Sequence, residues 1–139
     1  YLKESLITNG KKAKTYFNIG SLYQKKQIWD KALENLINSV SIKPYYPDAY
    51  NEIGKIFYSL SEYENAIHSH KRAIKQKKNF DDAYHNLGNS YRAVGNYYDA
   101  ISSYKFALKI NPYRNDSLQC MGLTLYETYD YSNGKKYFK

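Results

Sequence analysis

Four glycines recur at one constant interval, and this spacing constrains the fold more than any other feature of the chain. Each is separated from the next by 34 residues, and their neighbours recur with them. A large residue lies four positions before each glycine, another lies three positions after it, and a small residue lies twelve positions after it. A fixed period of this length predicts one structural unit copied along the chain. The glycines are Gly20, Gly54, Gly88 and Gly122, and the small residues are Ala32, Ala66, Ala100 and Gly134.

The pattern inside one unit predicts two helices joined by a short turn. In the third unit, Tyr84, Gly88 and Tyr91 fall at the i, i+4 and i+7 positions of one helix face. Gly95–Asn96 then interrupts the pattern as a turn, and a second amphipathic helix follows over 97–109. The same register gives the other expected helix pairs: 13–26 with 30–42, 47–60 with 63–76, and 115–128 with a helix that begins near Tyr131.

The recurring small residues predict a close approach of the two helices in each unit. We expect the glycine of the first helix and the alanine of the second to let the backbones touch where the helices cross. A glycine inside a helix costs about 1 kcal/mol relative to alanine, so packing must offset that cost each time. The expected packing residues are Gly20, Gly54, Gly88, Gly122, Ala32, Ala66 and Ala100.

A 34-residue helix–turn–helix period with these residue types resembles the tetratricopeptide repeat (TPR) family. The resemblance implies an all-α fold, a right-handed α-solenoid of antiparallel helix-turn-helix hairpins. Residues 1–139 then form a single TPR domain, in which Leu2 and Leu6 match the end of a preceding second helix. Its expected parts are the end of a preceding repeat (1–12), three complete repeats (13–46, 47–80 and 81–114) and a truncated fourth repeat (115–139).

Both ends of the sequence fall inside a repeat. A solenoid requires polar capping elements at its ends, and Tyr137-Phe138-Lys139 is not such an element. We therefore expect a segment of a longer protein, with exposed ends that can pair with a neighbouring copy. His70 also departs from the family pattern, because it stands where a large apolar residue is usual.

Composition bounds the class of protein. No apolar run approaches the roughly 20 residues that span a bilayer, and the first residues lack the apolar core of a secretory signal. The single cysteine excludes an internal disulfide framework. These features predict an intracellular protein, cytoplasmic or nuclear.

The candidate chemical groups all have structural explanations. His68 and His70 point in opposite directions on a helix and cannot share one metal ion, and we expect His70 to be buried and hydrogen-bonded. His85 is expected on an exposed face without a nucleophilic partner, and Cys120 lacks a basic neighbour that would activate it. We therefore expect no metal site, no cofactor and no catalytic site, so the chain is not predicted to be an enzyme.

The family resemblance also implies where a partner would bind. In TPR arrays the first helices line a concave groove, and in this register its middle carries amide and cationic donors with a tyrosine beside them. Amides suit an extended peptide backbone, and Lys or Arg suits a carboxylate. A concave face that is merely solvated is the alternative. The candidate partner-binding residues are Asn51, Lys55, Tyr58, His85, Asn86, Asn89 and Arg92.

One sub-type of the family binds the C-terminal tail of a chaperone through a carboxylate clamp. The clamp needs Lys and Asn in one first helix, Asn in the next, and Lys and Arg in the third. From the second repeat onward, these places hold Asn51 and Lys55, then Asn86, then Asp116 and Cys120. A start at the first repeat fails as well. The sequence therefore argues against a chaperone tail as the ligand.

The leading hypothesis is a non-catalytic protein–protein interaction scaffold that binds a peptide or a partner helix in its concave groove. An alternative is the substrate-recruiting arm of a larger enzyme such as an O-linked N-acetylglucosamine transferase. The asparagine ladder of those arrays is met by Asn18 and Asn86 but broken by Glu52 and Cys120.

A weaker alternative follows from the net charge of +8, which could attract nucleic acid or an anionic membrane. The basic residues lie mostly on second helices, the convex side of such an array, and this placement argues against a nucleic-acid groove. They are Lys71, Arg72, Lys75, Lys77, Lys78, Lys105 and Lys109.

Overall fold

The structure is a computed structural model that describes the backbone of residues 2–137 and the side chains of residues 7–130. The described backbone forms seven α-helices and no strand. Four of the helices, α2, α3, α4 and α6, agree with the predicted ranges to within one residue. The helices are α1 (Leu2–Lys25), α2 (Trp29–Ile42), α3 (Pro47–Ser59), α4 (Tyr63–Gln76), α5 (Asp81–Ala93), α6 (Tyr97–Ile110) and α7 (Asn115–Tyr137).

The chain divides into two compact units, Tyr1–Lys78 and Asn79–Lys139. In unit 1, α1 packs against α2 and α3 packs against α4, and α3 also contacts α2 and α1. In unit 2, α5 packs against α6, and α7 packs on α6 and α5. Unit 1 thus consists of two helical hairpins, and unit 2 consists of one hairpin and α7. The predicted all-α fold of helix-turn-helix repeats is confirmed.

One turn geometry closes all three hairpins. Gln27, Ser61 and Gly95 adopt left-handed backbone conformations, with φ of 61°, 60° and 81°. At each turn, the following residue donates its backbone N–H to the carbonyl five positions earlier, which is the Schellman arrangement that ends a helix. These bonds join Ile28 to Tyr23 (2.9 Å), Glu62 to Phe57 (2.8 Å) and Asn96 to Tyr91 (2.9 Å).

The expected second helix near Tyr131 is wrong, because α7 continues without interruption to Tyr137. The position in register with the three left-handed turn residues is Tyr129. A bulky aromatic residue disfavours the left-handed conformation, so the turn does not form and the helix runs on. The surroundings of Gly134, the expected small residue of that second helix, lie outside what the structure describes.

The N-terminal residues also differ from the expectation. Residues 1–8 were expected to belong to a separate preceding helix, but α1 is one helix from Leu2 to Lys25. Gly10 stands in register with Pro44 and Pro112, which follow the ends of second helices. Glycine keeps its backbone N–H and has no ring that would clash with the preceding turn, so the helix can pass through it. The division of the chain into whole and partial repeats stays a prediction.

The glycine of each hairpin makes room for a large side chain from the second helix. The large side chain belongs to the residue four positions after the alanine that was expected to face the glycine. The expected approach of the backbones is seen at Gly20, where the Ala32 carbonyl oxygen lies 3.2 Å from a Cβ built on the glycine. At Gly54 and Gly88 the nearest atoms all belong to the large side chain. The alanines at 32, 66 and 100 are themselves fully buried. Distances from a Cβ built on the glycine are 2.8 Å for Gly20 to Leu36 Cγ, 2.5 Å for Gly54 to His70 Cε1, and 2.6 Å for Gly88 to Tyr104 Cε1.

Gly122 differs from the other three repeat glycines. No described atom lies within 4 Å of a Cβ built on it. The cause is the continuous course of α7, which brings no second helix back over this glycine in the described part of the chain.

We expect Gly88→Ala to lower the melting temperature of the protein. The added methyl group would overlap Tyr104, which is fully buried, and overpacking of this kind costs about 1–3 kcal/mol. Gly122→Ala is the matched control, because its methyl group meets open space and alanine favours the helix by up to about 1 kcal/mol. Thermal unfolding followed by circular dichroism measures both variants. Equal shifts for the two would contradict this account of the glycines.

His70 is one of the three large side chains that cover glycines, and its imidazole ring has two polar nitrogen atoms. It is fully buried, and its Nδ1 lies 2.9 Å from Asn51 Oδ1. Since an amide oxygen only accepts, Nδ1 carries the proton, and the buried Nε2 has no hydrogen-bond partner. Burial first, and then the charge of Lys55, lower the pKa of His70 to about 3, so the imidazole is neutral at neutral pH.

The protein should lose stability as the pH falls below the ordinary histidine pKa of 6.5. Because the folded pKa of His70 is the lower one, the unfolded chain binds the proton first and acid favours unfolding. At about pH 5 the loss should be about 2 kcal/mol. His70→Leu copies the Gly20–Leu36 contact and should remove this part of the pH dependence. Urea unfolding at neutral and acidic pH tests the comparison, and an unchanged pH dependence in the variant would refute it.

Candidate functional site

The candidate site is the surface formed by the first helices of the hairpins. In unit 1 these helices are α1 and α3. In unit 2 they are α5 and α7, where α7 occupies the first-helix position of the repeat although no second helix follows it in the described chain. We call these surfaces the first-helix face of unit 1 and the first-helix face of unit 2. The two faces differ in how their polar groups are used.

The first-helix face of unit 1 contains an open pocket of about 530 Å³ between α1 and α3. The ring of Phe17 forms one wall and stacks on Tyr46, with ring centroids 5.2 Å apart. This contact fixes an aromatic surface beside polar side chains. The lining residues are Phe17, Asn18, Ser21, Gln24, Lys25, Glu52 and Lys55.

The polar groups of this pocket remain accessible. Asn18, Lys25 and Lys55 are exposed. Lys55 Nζ lies 3.4 Å from Glu52 Oε2 one turn away, an exposed pair of the kind that contributes little to stability. The face therefore presents ammonium and amide donors around an aromatic wall.

Two other predicted site residues of unit 1 lie in different surroundings. Asn51 is 5% exposed and binds His70, so it has little surface to offer a ligand. Tyr58 is exposed, and its ring meets Tyr63 edge-on at a centroid distance of 5.4 Å. The structure thus places Lys55 and Tyr58, but not Asn51, at the surface.

His85 in unit 2 corrects an expectation, because it is 8% exposed and not on an open face. Tyr104 donates its hydroxyl to Asn89 Oδ1 at 2.6 Å, so the Asn89 amide NH₂ faces His85 Nε2 at 3.3 Å. Nε2 also lies 3.5 Å from Asp116 Oδ2, and Nδ1 lies 2.8 Å from Ser117 Oγ. His85 therefore has a serine partner, which corrects the expectation that it lacks a nucleophilic one. Burial lowers the pKa of His85, and the nearby charge of Asp116 opposes that shift.

The remaining predicted donors of unit 2 are partly enclosed. Arg92 on α5 forms an ion pair with Glu127 on α7, with Nε 3.1 Å from Oε1. Asn86 is half-buried. In unit 2, therefore, side chains expected to face a partner instead join α5 to α7 and α6.

Sequence reasoning missed Arg114, which precedes α7 and binds three carboxylates. Its Nη1 lies 3.2 Å from Asp81 Oδ2, its Nη2 lies 2.7 Å from Asp116 Oδ2, and it also pairs with Asp82. The hydrogen bond from Arg114 is the main cause that lowers the pKa of Asp116 to about 2. The signal available in the sequence was an arginine in the turn before α7.

We expect Arg114→Met to lower the free energy of unfolding by about 1–2 kcal/mol, between the values typical of exposed and buried ion pairs. The substitution leaves three carboxylates near one another without their shared cation. Urea unfolding measures the loss. Lys105→Met, at an exposed position on α6, is the control and should change stability little. Comparable losses in both variants would contradict a specific role for Arg114.

The described residues form neither a metal site nor a membrane-spanning helix. Within the described residues, no three histidine, cysteine, aspartate or glutamate side chains come together as a potential metal site. None of the described helices has the length and apolar character needed to cross a membrane. The expectations of no catalysis and no cofactor stay predictions.

Comparison with known proteins agrees with this geometry. Residues 54–95 match a family model described as TPR repeat, and residues 81–113 match the tetratricopeptide repeat model. Residues 54–113 of the chain therefore match tetratricopeptide repeats. A search of curated proteins finds no sequence match to the chain.

Solved TPR domains share the fold. The first TPR of Spaghetti (RPAP3), bound to the HSP90 peptide SRMEEVD, superposes with a TM-score of 0.85 at 18% identity, covering 86% of this chain and 95% of that one. The first TPR domain of human RPAP3 gives 0.86 at 17% identity, covering 89% and 98%. MamA gives 0.82 at 26% identity, covering 98% and 80%.

Proposed function

We propose that this TPR protein is a non-catalytic interaction module that binds an extended peptide on the first-helix face of unit 1. The observation that carries the proposal is the open pocket between α1 and α3, with an aromatic wall and exposed donors. No covalent chemistry is needed for this role. We also propose that the protein acts inside the cell, in the cytoplasm or the nucleus.

The chemistry of the pocket suits an extended peptide with an acidic group. The Asn18 and Gln24 amides can each donate to and accept from a peptide backbone. The Lys25 and Lys55 ammonium groups suit a carboxylate on the ligand. Phe17 offers a face for an apolar side chain of the ligand.

The likeness to a peptide-bound domain supports the class of ligand but not its sequence. The similar RPAP3 domain was solved with the HSP90 peptide SRMEEVD. This chain lacks the carboxylate clamp in register, so we propose a different peptide from a chaperone tail. In unit 2, Asn86, Asn89 and Arg92 are proposed as further contacts or supports, and His85 as a buried support for them.

We expect the triple variant Asn18→Ala, Lys25→Ala, Lys55→Ala to weaken peptide binding at least tenfold. Each side chain is exposed, so the loss should come from binding and not from folding. A peptide library selected on the wild-type chain supplies the ligand, and calorimetry compares the affinities. The groove assignment fails if the triple variant binds the selected peptide as tightly as the wild type.

A matched control removes the same residue types elsewhere. Asn38→Ala, Lys75→Ala, Lys78→Ala changes three exposed positions on α2, on α4 and in the turn after α4. This control should bind like the wild type. A loss of affinity in the control instead would favour the alternative of a contact through the lysines of the second helices. The recruiting-arm alternative stays a hypothesis.

A further inference from the structure

We propose that this protein associates head to tail with a second copy of itself, so that the first turns of α1 in one copy cover the open face of α7 in the next. The inference is independent of peptide binding on unit 1. It rests on α7, whose face around Gly122 is not covered by any described helix, and on α1, whose first turns extend beyond its own hairpin.

The open face of α7 carries the same residue pattern that is covered in every hairpin. Leu118 and Leu125 flank Gly122 as Tyr84 and Tyr91 flank Gly88. In unit 2 the α5 residues are half-buried, whereas Leu118 and Leu125 are 55% and 50% exposed. No described atom lies within 4 Å of a Cβ on Gly122. This face of α7 therefore has the residues that pack against a second helix in the hairpins, and no described helix covers it.

The N-terminal turns of α1 extend past the end of α2. Ser39 Oγ donates to the Ala13 carbonyl at 2.7 Å, and α2 ends three residues later at Ile42. Ile7, Thr8 and Asn9 are all exposed. Thr8 and Asn9 share a pocket with Ile42, the last residue of α2, so the turns of α1 before Thr8 are the ones that extend past its hairpin partner.

The sequence of this projecting segment matches a covering helix. Leu2 stands 34 positions before Leu36, and so belongs to the series Leu36, His70, Tyr104 that covers the repeat glycines. Leu6 stands in the register of Val40, Ile74 and Leu108. In the proposed contact, Leu2 of a second copy packs on Gly122, as Tyr104 packs on Gly88 in the intact hairpin.

Charge disfavours the pairing of two α1 ends. Residues 7–14 of α1 contain Lys11, Lys12 and Lys14 and no acidic residue. Residues 115–130 of α7 contain Asp116, Glu127 and Asp130 and no basic residue. Asp116 and Glu127 are already paired with Arg114 and Arg92 of the same copy, so the lysines of α1 mainly disfavour α1 against α1, and the register of Leu2 and Leu6 is what favours α7 as the partner surface. Because the two surfaces are different, each copy keeps one surface for a further copy, and the assembly is a closed ring or an open chain.

Sedimentation velocity of the 139-residue chain over a range of concentrations tests the proposal. The wild type should grow from monomer to dimer and then to larger species. Leu118→Lys with Leu125→Lys should stay monomeric, as should Leu2→Lys with Leu6→Lys. An equimolar mixture of these two variants should form a dimer and nothing larger, because each retains one intact surface. A mixture that stays monomeric would overturn the head-to-tail pairing.

Two further variants separate binding from folding. Gly122→Leu adds a side chain in open space, so it should fold normally and fail to associate. Leu123→Lys with Tyr126→Lys changes exposed positions elsewhere on α7 and should associate like the wild type. Circular dichroism verifies the helix content of each variant. A wild type that is monomeric at every concentration refutes the proposal, as does association of Gly122→Leu.

Discussion

The contact between a glycine backbone and a large side chain from the opposite helix is the interaction on which each hairpin depends. Leu36, His70 and Tyr104 occupy the space that a Cβ would take on Gly20, Gly54 and Gly88. The helix propensity lost at a glycine is recovered as buried contact. Where the contact is absent, at Gly122, no hairpin forms within the described chain and apolar side chains stay at the surface.

The same contacts decide which polar groups remain for a partner. His70 and Tyr104 each reach past the glycine to hydrogen-bond an amide on the first helix, Asn51 in unit 1 and Asn89 in unit 2. These amides are thereby used inside the protein. The accessible donors of unit 1 are found around Phe17, and Lys55 is the one predicted partner-binding residue among them.

Much of the fold could be predicted because its determinants are local and periodic. The bounds of α2, α3, α4 and α6 follow from amphipathic spacing and turn residues. The ends of the chain could not be predicted in this way. Register assigned a turn near Tyr129, but register does not say whether a given residue adopts the left-handed conformation that the turn requires. His85 was misjudged for a different reason, because its burial depends on α7 residues 32 positions away.

The sequence by itself determined the repeat length and the three helical hairpins, since these depend on backbone preferences and on which residues share a helix face. The tertiary structure decided which side chain fills the space at each glycine, which donors are consumed by internal bonds, and which helix faces stay open. Those outcomes depend on contacts between helices distant in sequence, and a helical period gives the direction of a side chain but not the atoms that it meets.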